Sequence, residues 1–252
     1  MAYEYLIYKK EGGIAKITIN RPEVMNAISP ALLAEIKDAL EDAGKDDDVG
    51  VVVLAGEGRA FSAGVDLKSL GDRRLDGGRV GPILDDPARD VIDTIQAIPK
   101  VVIAMVNGYC FTGALEIVLG CDLIIASEEA KFGDTHTRWG LRPSWGMSQR
   151  LPWLIGVLKA KELSFTADMI TAQEAARIGL VNMVVPAEKM EETVQELAKK
   201  IMANSREAVA AGKYLYNHSM RDMLAKGLEL EAKSEFVIKD TEDRLSQFRK
   251  KD

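Results

Sequence analysis

The stretch VVIAMVNGYCFTGALE, residues 101–116, decides the fold class. Its first six residues, Val101–Val106, are apolar with little polar alternation, which suits a strand buried on both faces. Asn107-Gly108 closes the run, and an apolar helix is expected to open near Gly113. Working outward, Ile14–Ile19, Val51–Leu54 and Leu123–Ala126 are also short, Val- and Ile-rich runs ending near Gly, Asn or Asp. Helices fall between them. Ser29-Pro30 is an N-cap and first-turn pair ahead of Leu33, Ile36 and Leu40. Asp86-Pro87 is expected to start another helix, with Val91, Ile92 and Ile95 as its apolar face. Strands alternating with helices predict an α/β fold with mainly parallel pairing.

The pattern changes after about Pro186. The remainder is charged and helical, with no strand signal, so the chain divides into 1–186 and 187–252. Thr171-x-x-Glu174 resembles a capping box, and Ser205 is a plausible N-cap. Residues 69–86, rich in Gly, Asp and Arg, are expected to form a mobile surface loop.

Composition narrows the function. The 252 residues carry 33 Lys and Arg against 39 Asp and Glu, a net charge of −6, which argues against broad nucleic-acid binding. No run reaches the roughly 18 apolar residues of a membrane helix. The N-terminus has no basic and then apolar leader pattern. Two cysteines, Cys110 and Cys121, with no C-x-x-C pair, point to a reducing cytoplasm and away from a cysteine metal site. P-loop, G-x-G-x-x-G and G-x-S-x-G patterns are absent.

Three segments can carry chemistry. In Arg59–Lys68, the small residues Ser62, Ala63 and Gly64 let a ligand approach the backbone, and the Val65 N–H can point into a pocket. The same segment also fits a plain strand-to-helix turn capped by Asp66. In Asn107–Glu116, Gly113 falls at a helix N-terminus, where unpaired N–H groups favour negative charge. Glu116 follows three residues later, among Ala114, Leu115, Ile117 and Val118. If buried there it has a raised pKa and acts as acid or base; if on an outer face it is an ordinary surface carboxylate. In Phe132–Gly140, Asp134 and His136 would share a side of an extended segment. His136 is either a proton-transfer group or a satisfied structural histidine. Trp139 and Trp145 either narrow a pocket or pack in the core.

In this order, these segments resemble the enoyl-CoA hydratase/isomerase family, also called the crotonase family. The resemblance runs from Ile17-Thr-Ile-Asn-Arg-Pro22 and Asn26-Ala27 through Ala60–Lys68 and Ala104–Tyr109. It continues through Cys121–Ala126, Phe132-Gly133 and Gln149-Arg-Leu-Pro152 to Ala175-x-x-x-Gly-Leu-Val181.

The resemblance implies a superhelix of ββα units, residues 1–186, holding an acyl-CoA site. It implies a helical C-terminal region, 187–252, that packs on the core and on neighbouring subunits in a homotrimer or a hexamer of paired trimers. It assigns the thioester oxyanion hole to the backbone N–H groups of Val65 and Gly113. Ala63, Asp66, Leu67 and Lys68 match positions along the coenzyme A path, and Asn26 and Ala27 a loop beside it. Lys68, Arg73 and Arg74 are candidate phosphate partners by charge, and Phe236 and Lys239 candidates near the adenine. Glu116 matches the first of two glutamates usual in hydratases of this family. The second falls at His136, a departure that leaves the second acid/base to His136 or Asp134, or leaves Glu116 alone. The implied reaction is hydration of a 2-enoyl-CoA. Isomerisation, decarboxylation or thioester hydrolysis are its alternatives, and a non-catalytic acyl-CoA-binding protein the reading from another class. The implied protein is cytoplasmic. It needs no metal or cofactor beyond substrate coenzyme A, and meets neither nucleic acid nor membrane.

Overall fold

A computed structural model describes residues 3–71, 75, 77–219, 221–235 and 240–249. Arg73, Arg74, Phe236 and Lys239 lie outside the described residues.

The element order is a repeated β-β-α. The first unit is β1 (Leu6–Glu11), β2 (Ile14–Ile19) and α1 (Pro30–Lys45). The next is β3 (Val51–Gly56), β4 (Ala60–Ser62) and α2 (Pro82–Ala97), followed by β5 (Val101–Val106), β6 (Tyr109–Phe111) and α3 (Gly113–Val118). Then come β7 (Leu123–Ser127), β8 (Lys131–Gly133), α4 (Met147–Ile155) and α5 (Val157–Thr166). The chain closes with β9 (Met169–Thr171), α6 (Ala172–Arg177), β10 (Met183–Val185), α7 (Met190–Met202), α8 (Arg206–His218), α9 (Arg221–Lys233) and α10 (Thr241–Arg249).

The first unit puts both of its strands in one sheet, and each later strand pair adds one strand to each of two sheets. The larger sheet runs β1-β2-β3-β5-β7-β10 and the smaller β4-β6-β8-β9. All pairs are parallel except β1–β2 and β8–β9. The period-two pleat explains the apolar runs. Val52, Leu54, Val102 and Ala104 face the core under α1 and α2. Val51, Val53, Val101 and Ile103 face a second apolar layer under α7. A strand covered on both faces has no room for polar alternation.

Where a unit passes from the larger to the smaller sheet, backbones almost touch. A Cβ on Gly108 would lie 2.1 Å from the Arg59 carbonyl oxygen, so only glycine fits between β5 and β6. The expected helix starts are present at α1, where Ser29 Oγ accepts from the Leu32 N–H, and at α6, where Thr171 accepts from Glu174 N–H. Ser205 caps α8 the same way.

Two expectations need correcting. The second helix starts at Gly81-Pro82, not Asp86-Pro87, because burial of Leu84 and Asp85 draws the preceding turn into α2. Pro87 then sits inside the helix at the cost of one backbone hydrogen bond. Consequently the 69–86 segment is shorter as a loop than expected. A 3-10 turn at Leu67–Leu70 takes one end and α2 the other. No strand follows Val185 among the described residues.

The C-terminal helices are tied to the core by Lys213 of α8. Its ammonium donates to the Ile95 and Lys100 carbonyls and pairs with Asp122 at 2.8 Å. Asp122 in turn accepts from the Val102 N–H. Lys213→Ala leaves a largely buried carboxylate unpaired and is expected to cost about 3 kcal/mol. Thermal unfolding followed by circular dichroism should show a midpoint lower by about 6–12 °C. An unchanged midpoint would mean the pair adds nothing to docking.

Candidate active site

The smaller sheet sets the site. β4, β6 and β8 are parallel neighbours, so the loops leaving their carboxyl ends emerge side by side. Those loops are residues 63–66, 112–113 and 134–136, which brings together the three segments singled out from sequence. Their closeness is measurable. Gly64 has φ +96°, and a Cβ there would meet the Phe111 carbonyl oxygen at 2.9 Å.

Thr112 is the strained residue of this group, at φ +54° and ψ −116°, a conformation a β-branched side chain rarely takes. Its N–H donates to the Gly133 carbonyl and its hydroxyl bonds the Thr135 hydroxyl at 2.7 Å. Those bonds turn the peptide so that Gly113 begins α3. Flanking backbone donors are satisfied: Gly64 N–H by Ser62 Oγ at 3.1 Å, and Asp66 N–H by the Ile28 carbonyl at 2.9 Å. The N–H groups of Val65 and Gly113 have no acceptor among the described residues. The Trp145 ring closes over Gly113, where a Cβ would come within 2.5 Å of the indole.

A cavity of about 370 Å³ opens on these loops. Its wall includes Ala27, Ala63, Val65, Asp66, Leu67 and Lys68 on one side and Thr112, Glu116, Thr135 and His136 on the other, with Trp139 and Trp145 alongside. Trp145 is thus both buried core and cavity wall. Asn26 and Asp134 stand behind the wall, and Gly113 adjoins it next to Thr112. The Asn26 side chain accepts from Arg21 N–H and donates to the Glu57 and Ala60 carbonyls, pinning the segment that leads into β4. Asp66 caps the 67–70 turn through Ser69 N–H and pairs with Arg21 at 3.2 Å. A second cavity of about 360 Å³, against the larger sheet near Lys9 and Lys16, contains none of the predicted residues.

Glu116 lies on α3 and is 1% exposed, so it is not a surface carboxylate. Its Oε1 accepts from the Trp145 N–H at 3.0 Å and the Met147 N–H at 2.9 Å. Its Oε2 lies 3.6 Å from His136 Nε2. Burial pushes the Glu116 pKa up to about 7, against the lowering pull of His136 and the Met147 N–H.

His136 and Asp134 meet, but not through an extended pleat. Asp134 Oδ1 accepts from the His136 N–H at 3.3 Å, an Asx-type turn that folds the imidazole back, and lies 2.6 Å from Nδ1. The other carboxylate oxygen accepts from Ser164 Oγ of α5 at 2.6 Å. Burial draws the His136 pKa down, but the Asp134 hydrogen bond and charge outweigh it and hold it above the ordinary 6.5. Burial raises the Asp134 pKa, and its bonds to His136 bring it below the usual value. With Asp134 at Nδ1, the Nε2 side faces Glu116.

Sequence reasoning missed Thr135, Ser164, Asp85 and Glu231. Asp85 Oδ1 accepts from Ser144 Oγ and from the Trp145 indole N–H at 2.9 Å. None of the four had a local pattern to mark it.

A family model described as enoyl-CoA hydratase/isomerase matches residues 9–248. The crotonyl-CoA hydratase of Syntrophomonas wolfei is 36% identical over 256 residues, covering 100% of this chain and 97% of that protein. The short-chain-enoyl-CoA hydratase of Clostridium acetobutylicum is 37% identical, covering 98% of this chain and 95% of that one. Among solved structures, an enoyl-CoA hydratase/isomerase from Xanthobacter autotrophicus superposes with a TM-score of 0.88 at 32% identity, over 98% of this chain and 93% of that one.

The Asp134–His136 pair makes a direct prediction. In Asp134→Asn the burial effect dominates, and the His136 titration midpoint falls below 6.5. Proton NMR of the two histidines checks this, with half-buried His218 as the second signal. An unmoved midpoint would remove Asp134 as the orienting partner.

Proposed function

The chain belongs to the enoyl-CoA hydratase/isomerase family, and from that membership we propose that it hydrates a 2-enoyl-CoA to the 3-hydroxyacyl-CoA. One observation carries the reading: two acid/base groups, Glu116 Oε2 and His136 Nε2, face the same cavity 3.6 Å apart. Isomerisation, decarboxylation or thioester hydrolysis needs fewer such groups. Hydration needs one to take a proton from water and one to give a proton to carbon.

The N–H groups of Val65 and Gly113 receive the thioester oxygen, which gathers negative charge as water adds. Fixed backbone donors stabilise that charge without reorganising, and losing one such donor costs about 10²–10³ in rate. Glu116 as carboxylate takes a proton from water while the new C3–O bond forms. The electron pair of the C2–C3 double bond passes to the thioester as an enolate and then to C2, which takes a proton from His136 Nε2. The proton on Glu116 returns to His136 across their short gap and restores the site. Asp134 favours the protonated His136 this cycle starts from. Ala63, Asp66, Leu67, Lys68 and Ala27 form the path for coenzyme A, with Asn26 holding that loop from behind. Both proton transfers come from side chains, so the reaction draws on no cofactor beyond the coenzyme A of the substrate.

The family membership also supports assembly as a homotrimer or paired trimers. Exposed Leu158 and Phe165 of α5 and Leu215 and Tyr216 of α8 are the apolar surfaces such contacts would cover. No helix among the described residues is long and apolar enough to cross a membrane. Free Cys110 and Cys121 fit a reducing cytoplasm.

Crotonyl-CoA turnover, followed as loss of the conjugated thioester absorbance, tests the reading. Glu116→Gln is expected to lower kcat by about 10²–10⁴ with little change in KM. The wild-type profile of kcat against pH should be bell-shaped, its acid limb from Glu116 ionising and its alkaline limb from the Glu116–His136 pair losing its proton. His136→Ala should remove the alkaline limb. Full activity in Glu116→Gln would overturn the mechanism.

A further inference from the structure

The turn Ser144–Ser148 carries Glu116 and is gripped from a second side. Its alternate N–H groups, of Trp145 and Met147, donate to Glu116. The N–H between them, of Gly146, donates to Glu231 Oε1 at 2.9 Å, and the Ser148 hydroxyl donates to Glu231 Oε2. Successive peptide donors thus point to two different carboxylates on opposite faces of one turn. Glu231 comes from α9, is only 8% exposed, and does not line the cavity.

The helix that brings Glu231 is itself anchored. The Arg142 guanidinium donates to the carbonyls of Glu231 at 2.7 Å and Ser234 at 2.9 Å, and Arg79 donates to the carbonyl of Ala232. At Gly227, α9 lies so near α4 that a Cβ would overlap the Gln149 side chain. A buried carboxylate at this depth needs donors, and the turn supplies them.

We infer that Glu231 is a positioning residue for Glu116, holding the 144–148 turn in the one arrangement that aims Glu116 Oε2 at His136. The inference rests on the acid/base role proposed for Glu116. Glu231 acts through the turn and touches neither substrate nor water in the reaction. Its charge also bears on Glu116, which faces His136 and Asp134 from the loop after β8, Arg150 from α4 and Glu231 from α9. Glu231 in turn faces Arg142, Arg150 and His136.

Two variants separate positioning from stability. Glu231→Gln keeps an acceptor for the Gly146 N–H and an amide for Ser148 but removes the negative charge. Glu231→Ala removes both bonds. The alanine variant is expected to lose about 10–100-fold in kcat as the carboxylate shifts, with KM changed less than about threefold. The glutamine variant should restore most of kcat and move the acid limb to lower pH, because a neighbouring negative charge no longer opposes Glu116 ionisation. The Glu116 carboxyl can also be titrated without turnover, as the infrared C=O band absent from Glu116→Gln. Its midpoint should fall in Glu231→Gln.

Wild-type kcat in the alanine variant overturns the inference. So does an alanine variant that loses activity only in proportion to lost folded protein, by circular dichroism and melting. A failed hydratase reading looks different. Wild type then leaves crotonyl-CoA unchanged, or Glu116→Gln turns it over, and the Glu116 infrared band, moved or unmoved in Glu231→Ala, still decides whether Glu231 holds the turn.

Discussion

Burying a carboxylate is costly unless donors reach it, and Glu116 is almost wholly buried. The donors are two N–H groups of the 144–148 turn, and neither is free to move. Much of the surrounding structure keeps that turn in place. Asp85 of α2 binds Ser144 and the Trp145 indole, Arg89 holds the Ser144 carbonyl, and Arg150 holds the Trp145 carbonyl. The indole so fixed closes over Gly113, the residue proposed to present its N–H to the thioester oxygen. Gly113 and Glu116 are therefore both braced by one piece of backbone, the first through the Trp145 ring and the second through two N–H groups.

The second constraint is the crossing between sheets. From the second ββα unit on, the chain leaves the larger sheet after one strand, passes within backbone contact of its neighbour, and enters the smaller sheet. Three consecutive units deliver three loops to one place because their second strands are adjacent and parallel. Thr112, held at positive φ by its bonds to Gly133 and Thr135, is a local strain that this packing sustains. The scaffold is regular, and the chemistry sits where its regularity is broken.

The parts of this arrangement that are local were legible in the chain. Runs such as Val101–Val106 announce strands covered on both faces, and Ser29-Pro30 announces a helix start. Strands of three residues, β4, β6 and β8, are too short to show a period; their pairing is settled by the neighbours they meet. Asp86-Pro87 misled because burial of Leu84 and Asp85 outweighed the start signal. In the site, Glu116, His136 and Asp134 were visible as residue types in a meaningful order. How they meet was not: an Asx turn, rather than a pleat, brings Asp134 to His136. Glu231 was invisible because it stands 85 residues from Gly146, in a charge-rich helix where one glutamate looks like any other.

The crossing at Gly108 and the docking of α9 have a consequence for the order in which the molecule comes into being. Val65, Glu116 and His136 come from three separate windings of the superhelix, and the outer grip on the turn that holds Glu116 comes from α9. Contacts between segments so far apart in sequence close long loops, a cost that grows slowly with length and slows folding. A chain synthesised only as far as α8 already holds Glu116 and His136, yet has nothing to occupy the Gly146 N–H. The bonds from Glu231 to that turn can therefore form only once α9 has been made. A half-made chain holds Glu116 on its turn without the second grip from the far side.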